Sequence, residues 1–299
     1  MRHLLEIDDL NESDLVAVLD LAQRPDRQPV LAGQGVALIF EKPSNRTRNA
    51  TEMAVVALGG HPVSIRGEEI GIGVRESVED VTRVLAQYHR VLGARVLDHA
   101  VLEGMARVDE LPVVNLLSDR AHPCQALADL LTLQRHWGQL AGHTLAWVGD
   151  GNNVARSVTL ACGLAGVDIR LACPPGHQLD AATLDGARAR GVTVTATTDP
   201  VEAVTGADAV YTDVWVSMGQ EDERRQREDA FSAFQVNDAL MGRAAPGAVF
   251  LHCLPAHRGL EVSASVIDGP SSVVWEQAGN RMAAAVGLLW WLVQAASDQ

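Results

Sequence analysis

Lysine is nearly missing from this chain: Lys42 is the only one among 24 basic residues, and the rest are arginine. That reads as a codon-composition bias and carries no function. Basic residues of either kind are outnumbered by 38 acidic ones, for a formal net charge of −14. An acidic balance excludes the basic stripe that nucleic-acid binding requires. It does not exclude a small anionic substrate, because a local arginine cluster outweighs a distant, screened acidic surface. Cysteine is sparse: Cys124, Cys162, Cys173 and Cys253 contain no C-x-x-C pair and no spacing of a disulfide framework. His122 with Cys124, and His252 with Cys253, lack the usual ligand spacing, so no metal is expected. No long hydrophobic run occurs; "AAAVGLLWWLV", Ala283 to Val293, is too short to span a bilayer and reads as a buried terminal helix. No signal peptide opens the chain, and the cytoplasm is the expected compartment.

What is present is core. The 299 residues suit one large or two ordinary domains, and 47% apolar with 21% charged residues is a globular composition. Helical spacing runs from Asn11 to Arg24, and strand and helix signals then alternate. Strands are expected at Val36–Phe40, Pro62–Ile65, Leu92–Leu97 and Pro112–Leu116. Helices are expected at Arg46–Leu58, Glu76–Tyr88, Ala100–Val108 and Pro123–Trp137, with Ser77 capping the second. A second series opens after Gly142, and "WGQLAG" marks the boundary. The expectation is α/β: two doubly wound lobes with parallel sheets, residues 1–138 and 139–276. A last helix, 277–296, is expected to pack back on the first lobe. The charged run Gln220–Phe231 reads as a solvated loop or helix face.

One stretch poses the functional question. In "GVALIFEKPSNRTRNATEMAV" a buried strand ends at Phe40, and a polar loop leads into a helix through Ser44, Asn45, Arg46, Thr47 and Arg48. A helix N-terminus offers unpaired N–H groups and the positive end of the macrodipole. Hydroxyls and a guanidinium fork beside it suit phosphate or carboxylate. The alternative is an N-cap by Ser44 or Asn45 with a solvated arginine pair. The Walker glycine pattern is absent, so a nucleoside triphosphate is not implied. "VGDGNN" fails the dinucleotide fingerprint as well: the third glycine is missing, and the next strand ends in "LACPP" without an acid for a ribose.

Four further polar clusters follow strand ends or helix starts. "HPCQ" places His122 and Gln125 around Pro123 at a helix start. "DVWVSMG" carries Asp213, Ser217 and Met218; "HCLPAHRG" carries His252, Cys253 and Leu254; "AGNRMAAA" puts Arg281 near the start of the last helix. Singly each has a bland reading as turn former, cap or core residue. In open α/β sheets ligands bind outside the carboxyl ends of strands, so together the clusters suggest one site.

At these residues the chain resembles the aspartate/ornithine carbamoyltransferase family. "FEKPSNRTR" is similar to the family's carbamoyl-phosphate loop, and "HPCQ", "GDGNN", "DVWVSMG" and "HCLPAHRG" follow in the family's order over nearly the whole chain. Cys253 and the Ser217–Met218 pair are like its ornithine-using members and unlike those that use aspartate. The resemblance implies a homotrimer, no cofactor, and transfer of the carbamoyl group of carbamoyl phosphate to the δ-amine of L-ornithine. It implies Ser44, Asn45, Arg46, Thr47, Arg95, His122, Gln125, Cys253, Leu254 and Arg281 for carbamoyl phosphate, with Thr47, Arg95, His122 and Cys253 at the chemistry. For ornithine it implies Asn153, Asp213, Ser217 and Met218. Three positions depart from the family pattern: Asn45 stands for threonine, Gly279 for glutamate, and "RGEEIGIGVRES" lacks a glutamine that some members extend into the neighbouring site. The rival readings are a sister enzyme for another amine and a catalytically silent homologue.

Overall fold

The computed structural model describes residues 1–216 and 221–295. Ser217 and Met218 lie outside the described residues. The chain divides into two compact units, Met1–Leu131 with the chain from Gly279 onward, and Thr132–Ala278. Each is an α/β body on a parallel sheet.

The first unit begins with helix α1 (Glu12–Gln23), capped by Asn11, whose side chain accepts from Asp14 N–H. Then come β1 (Gly35–Phe40), α2 (Asn45–Ala57), β2 (His61–Arg66), α3 (Gly67–Ile70) and α4 (Val78–Ala86). They are followed by β3 (His89–Arg95), α5 (His99–Val108), β4 (Val113–Leu117) and α6 (Pro123–Trp137), whose residues from Thr132 onward belong to the second unit. Ser77 caps α4 by accepting from Asp80 N–H at 3.1 Å. The strands order as β2-β1-β3-β4. From β1 the chain goes to β2 on one side and returns to β3 on the other. That reversal makes the carboxyl ends of β1 and β3 a topological switch point, where the backbone opens a crevice. Val36 to Phe40 are all buried, as a central parallel strand covered on both faces must be.

The last helix, α13, runs Val274–Ala295 and so begins before the expected Gln277. Arg281 and Gly279 are therefore in the helix interior, not near its start. Its carboxyl-terminal part belongs to the first unit and meets α1 at close range. A Cβ on Gly287 would lie 2.2 Å from Val18 O and 2.7 Å from Ala22 N. Gly287→Ala should cost ~1–3 kcal/mol by overpacking, even though alanine is the better helix former. Denaturant unfolding checks this, and a stability equal to wild type would contradict the close approach.

The second unit contains β5 (Thr144–Val148), α7 (Asn153–Ala165), β6 (Asp168–Ala172), α8 (Ala181–Arg188), β7 (Val194–Thr197) and α9 (Pro200–Val204). It continues with β8 (Ala209–Thr212), α10 (Arg224–Phe231), α11 (Asp238–Met241), β9 (Val249–His252) and α12 (Ala264–Ile267). The order β7-β6-β5-β8-β9 puts its switch point between β5 and β8. From Arg224 onward the charged run forms α10, but it is not simply solvated: Arg227 and Phe231 are buried. Among the described residues no helix is long and apolar enough to cross a membrane.

Candidate active site

The first unit gathers cations at its switch point. The loop after β1 is pinned to the end of β3 by two bonds, Glu41 N–H to Arg95 O at 3.0 Å and Leu97 N–H to Glu41 Oε2 at 2.7 Å. The second bond removes Leu97 from the strand it was expected to end. Arg95 is the last residue of β3, and its Nη1 donates to Ser44 Oγ at 3.2 Å. Ser44 occupies the N-cap position of α2 but makes no capping bond. The capping alternative for Ser44 thus does not hold, and its oxygen is turned to Arg95 instead. Asn45 opens the helix, exposed, with its Oδ1 accepting from Asn49 Nδ2 at 3.1 Å. Half-buried Arg46 follows, then buried Thr47.

Arg281 reaches this place from α13. It donates to Gln125 Oε1 and, at 3.0 Å, to Thr47 Oγ1. Thr47 accepts there and keeps its own proton to donate. Gln125 is fixed from its other end by donating to Asp129 Oδ1 at 2.7 Å. His122 sits just before Pro123, buried, with its carbonyl accepting from Gln125 N–H at 3.0 Å. The turn before it is held by Asn115, whose Nδ2 donates to Leu5 O at 2.8 Å and Ser118 Oγ at 3.2 Å. Cys124, once a partner for His122 in a metal pair, donates its thiol to Asn115 O at 3.3 Å.

Charge makes this arrangement an anion site. Burial, then the guanidiniums of Arg281 and Arg46, bring Arg95 down to about 10. The same burial, with Arg281, Arg95 and Arg46, holds His122 well below 6.5. Among the described residues no carboxylate pairs with Arg46 or Arg95, and the buried Arg95 Nε has no hydrogen-bond partner. Two like charges held close without a carboxylate partner, as Arg46 and Arg95 are among the described residues, favour the arrival of an anion.

His122 should stay a neutral imidazole at pH 6, read from its ring-nitrogen shifts by NMR; a protonated ring there would contradict the geometry. The linkage has a sign. Because the folded value lies below 6.5, the stability His122 contributes is full above 6.5 and is lost as pH falls below it.

The second unit places its groups at the other switch point. Asp213 follows β8, buried, and three donors converge on it: Asn152 Nδ2 at 2.9 Å, Cys253 Sγ at 3.0 Å and Val214 N–H at 2.8 Å. Asn152, a residue the sequence reading did not single out, bonds Asp213; Asn153, expected at the ornithine site, is the first residue of α7. Asn152 Oδ1 caps that helix by accepting from Val154 and Ala155 N–H. The N-terminus of α7 is thus capped by a side chain, unlike that of α2. Gly151 lies against the chain at 177–179, where a Cβ would be 2.7 Å from three backbone atoms.

Cys253 and Leu254 follow β9. Leu254 has φ of 60° and donates its N–H to His252 Nδ1 at 2.9 Å. A left-handed leucine is strained, a feature concentrated at functional loops. His252 is buried beside Glu261, Nε2 to Oε1 3.3 Å. Asp213, His252 and Cys253 also bring one possible ligand atom each to within 4.8 Å of one another. The Cys253 to Asp213 and Leu254 to His252 hydrogen bonds already account for that cluster.

The "Aspartate/ornithine carbamoyltransferase, carbamoyl-P binding domain" family matches residues 2–135, and the "Asp/Orn binding domain" of the same name matches 141–292. This chain belongs to the aspartate/ornithine carbamoyltransferase family. A family member from Thermus thermophilus, an ornithine carbamoyltransferase, is 48% identical over 98% of this chain and 97% of its own. One from Methanoculleus marisnigri is 44% identical, covering 96% of each. The solved ornithine carbamoyltransferase of Pyrococcus furiosus superposes with a TM-score of 0.94 at 40% identity, over 98% of this chain and 97% of that one. Glu41, Asn115, Asn152, Arg227 and Glu261 are the positions that sequence reasoning missed. The "GDGNN" motif alone signalled Asn152, and nothing local signalled the others.

Proposed function

We propose that this protein is an ornithine carbamoyltransferase. It takes carbamoyl phosphate and L-ornithine to L-citrulline and phosphate. The observation that carries the reading is the pair Arg46 and Arg95 beside the uncapped N-terminus of α2, neither with a carboxylate partner among the described residues. A phosphate dianion supplies the missing charge.

In this reading Ser44, Asn45, Arg46 and the first N–H groups of α2 hold the phosphate. Arg95, His122 and Thr47 donate to the carbonyl oxygen, with Gln125 and Arg281 setting Thr47; Cys253 and Leu254 complete the carbamoyl-phosphate set. Neutral His122 donates one N–H without adding charge. The uncharged δ-amine attacks the carbonyl carbon, a C–N bond forms, and the C–O bond to phosphate breaks. The proton lost by the amine is carried off in hydrogen phosphate. Donors aimed at the developing oxyanion, and two substrates held in line, supply the rate. Asp213, steadied by Asn152 and Cys253, orients the δ-amine, with Asn153, Ser217 and Met218 assigned to the other end of ornithine. A homotrimer forms part of the proposal, supported by exposed Met53, Val56, Tyr88 and Leu97 on the first unit.

A colorimetric citrulline assay against a panel of amines tests the substrate. Turnover with ornithine well above putrescine or an acetylated ornithine is expected; the reverse order would overturn the choice of amine.

The Cys253 S–H donates to Asp213 at 3.0 Å, and in this reading the thiol steadies that carboxylate while the amine attacks the carbamoyl carbon directly. Serine can make the same bond. Cys253→Ser should therefore keep turnover with a raised ornithine KM. A dead, folded variant, with a carbamoyl-thiol adduct seen by mass spectrometry in wild type, would reverse this.

A further inference from the structure

The charged helix α10 hides a buried arginine with an unusual set of partners. Arg227 Nη2 donates to Asp150 Oδ2, and its Nε donates to Trp215 O at 2.5 Å. Its guanidinium lies 5.2 Å from the ring centre of Phe231, and Glu223 is 3.6 Å from Nη1. Asp150 belongs to the loop after β5, two residues before Asn152. Trp215 belongs to the loop after β8, two residues beyond Asp213. Those two loops also meet through Asn152 and Asp213, at 2.9 Å. One planar guanidinium therefore ties together, at a second point, the same two loops that carry the amine-facing couple.

We propose that the buried Arg227–Asp150 pair is a positioning device for the second substrate, fixing the Asn152–Asp213 couple in register for the amine. The inference rests on the functional reading above and deepens it. A fold does not need this pair for stability: burying two charges costs about what their attraction returns, and apolar residues of like volume do as well. Burial in fact raises the Asp150 carboxyl to about 6, against the pull of Arg227 and with a push from Asp213. What an apolar pair cannot do is donate in two directions at fixed angles, and what lysine cannot do is reach both loops at once. Trp147 Nε1 adds a rigid support by donating to Asp150 O at 3.0 Å.

The test uses the full-length protein and steady-state kinetics with ornithine, together with carbamoyl-phosphate affinity by calorimetry. Arg227→Met should raise the ornithine KM about tenfold or more, as breaking a buried charge-assisted contact does, while carbamoyl-phosphate affinity stays unchanged. Arg227→Lys should recover part of the loss. An equal loss for both substrates, or no change in ornithine KM, would overturn the proposal. Should Arg227→Met fail to fold, Asp150→Asn decides in its place: it keeps the shape and removes the charge. A raised ornithine KM alone then supports the device, and an unchanged one overturns it. Wild-type protein that makes no citrulline sinks the functional reading and this proposal together. Active wild type with an indifferent Arg227→Met sinks the device alone.

Discussion

Arg46→Ala will weaken carbamoyl-phosphate binding by at least ~2 kcal/mol, about thirtyfold, without changing the melting temperature. The position separates binding from scaffold. Arg281 is tied to Thr47 and Gln125, and Arg95 to Ser44, so removing either also loosens its neighbours. Arg46 is the second residue of α2 and half-buried, with no carboxylate partner among the described residues. Its guanidinium is thus kept for the ligand, and a dianion loses a forked, charge-assisted contact when it goes. The repulsion it exerts on Arg95 is relieved at the same time, so the empty protein does not suffer. Calorimetry with carbamoyl phosphate reads the loss, and wild-type affinity in the variant would remove Arg46 from the site.

The second large effect belongs to Asp213. Asp213→Asn should lower kcat/KM for ornithine by about a thousandfold, ~4 kcal/mol, and leave carbamoyl-phosphate affinity alone. Both carboxylate oxygens accept. Oδ2 takes the Asn152 amide, and Oδ1 takes Cys253 and Val214. An amide has one accepting oxygen, so one side of the new residue must face a donor with a donor. Asn152 cannot turn to relieve it, because its Oδ1 is engaged in capping α7. The couple is forced apart, and the negative charge that attracts the amine is gone. Steady-state kinetics in both substrates check the split; an equal loss for carbamoyl phosphate would point to general damage instead.

Alternating strand and helix signals made the α/β architecture legible, because central parallel strands such as Val36 to Phe40 are uniformly apolar. The polar clusters were legible for a related reason: each interrupts that apolar pattern at a strand's carboxyl end or a helix's start. The depth of Arg281 in α13 was not. The helix begins at Val274 in "SSVVWEQ", where β-branched residues mask the start, so "AGNR" looked like the first turn. Arg227 was hidden by its neighbours. In "QEDERRQREDAF" one arginine among many carries no mark of burial, and its partner Asp150 lies 77 residues away. Glu41 and Asn115 act through backbone groups of distant segments, and no local spacing encodes such pairings.

In the proposed reaction the carbamoyl group passes directly from phosphate to ornithine. Rapid mixing of wild-type protein with carbamoyl phosphate, with and without ornithine, followed by quenching and counting of citrulline and phosphate, tests it most directly. Direct transfer gives the two products in equal amounts from the first turnover, and no phosphate above the spontaneous rate when ornithine is left out. A burst of phosphate from carbamoyl phosphate alone, with the carbamoyl group retained on Cys253, would contradict it.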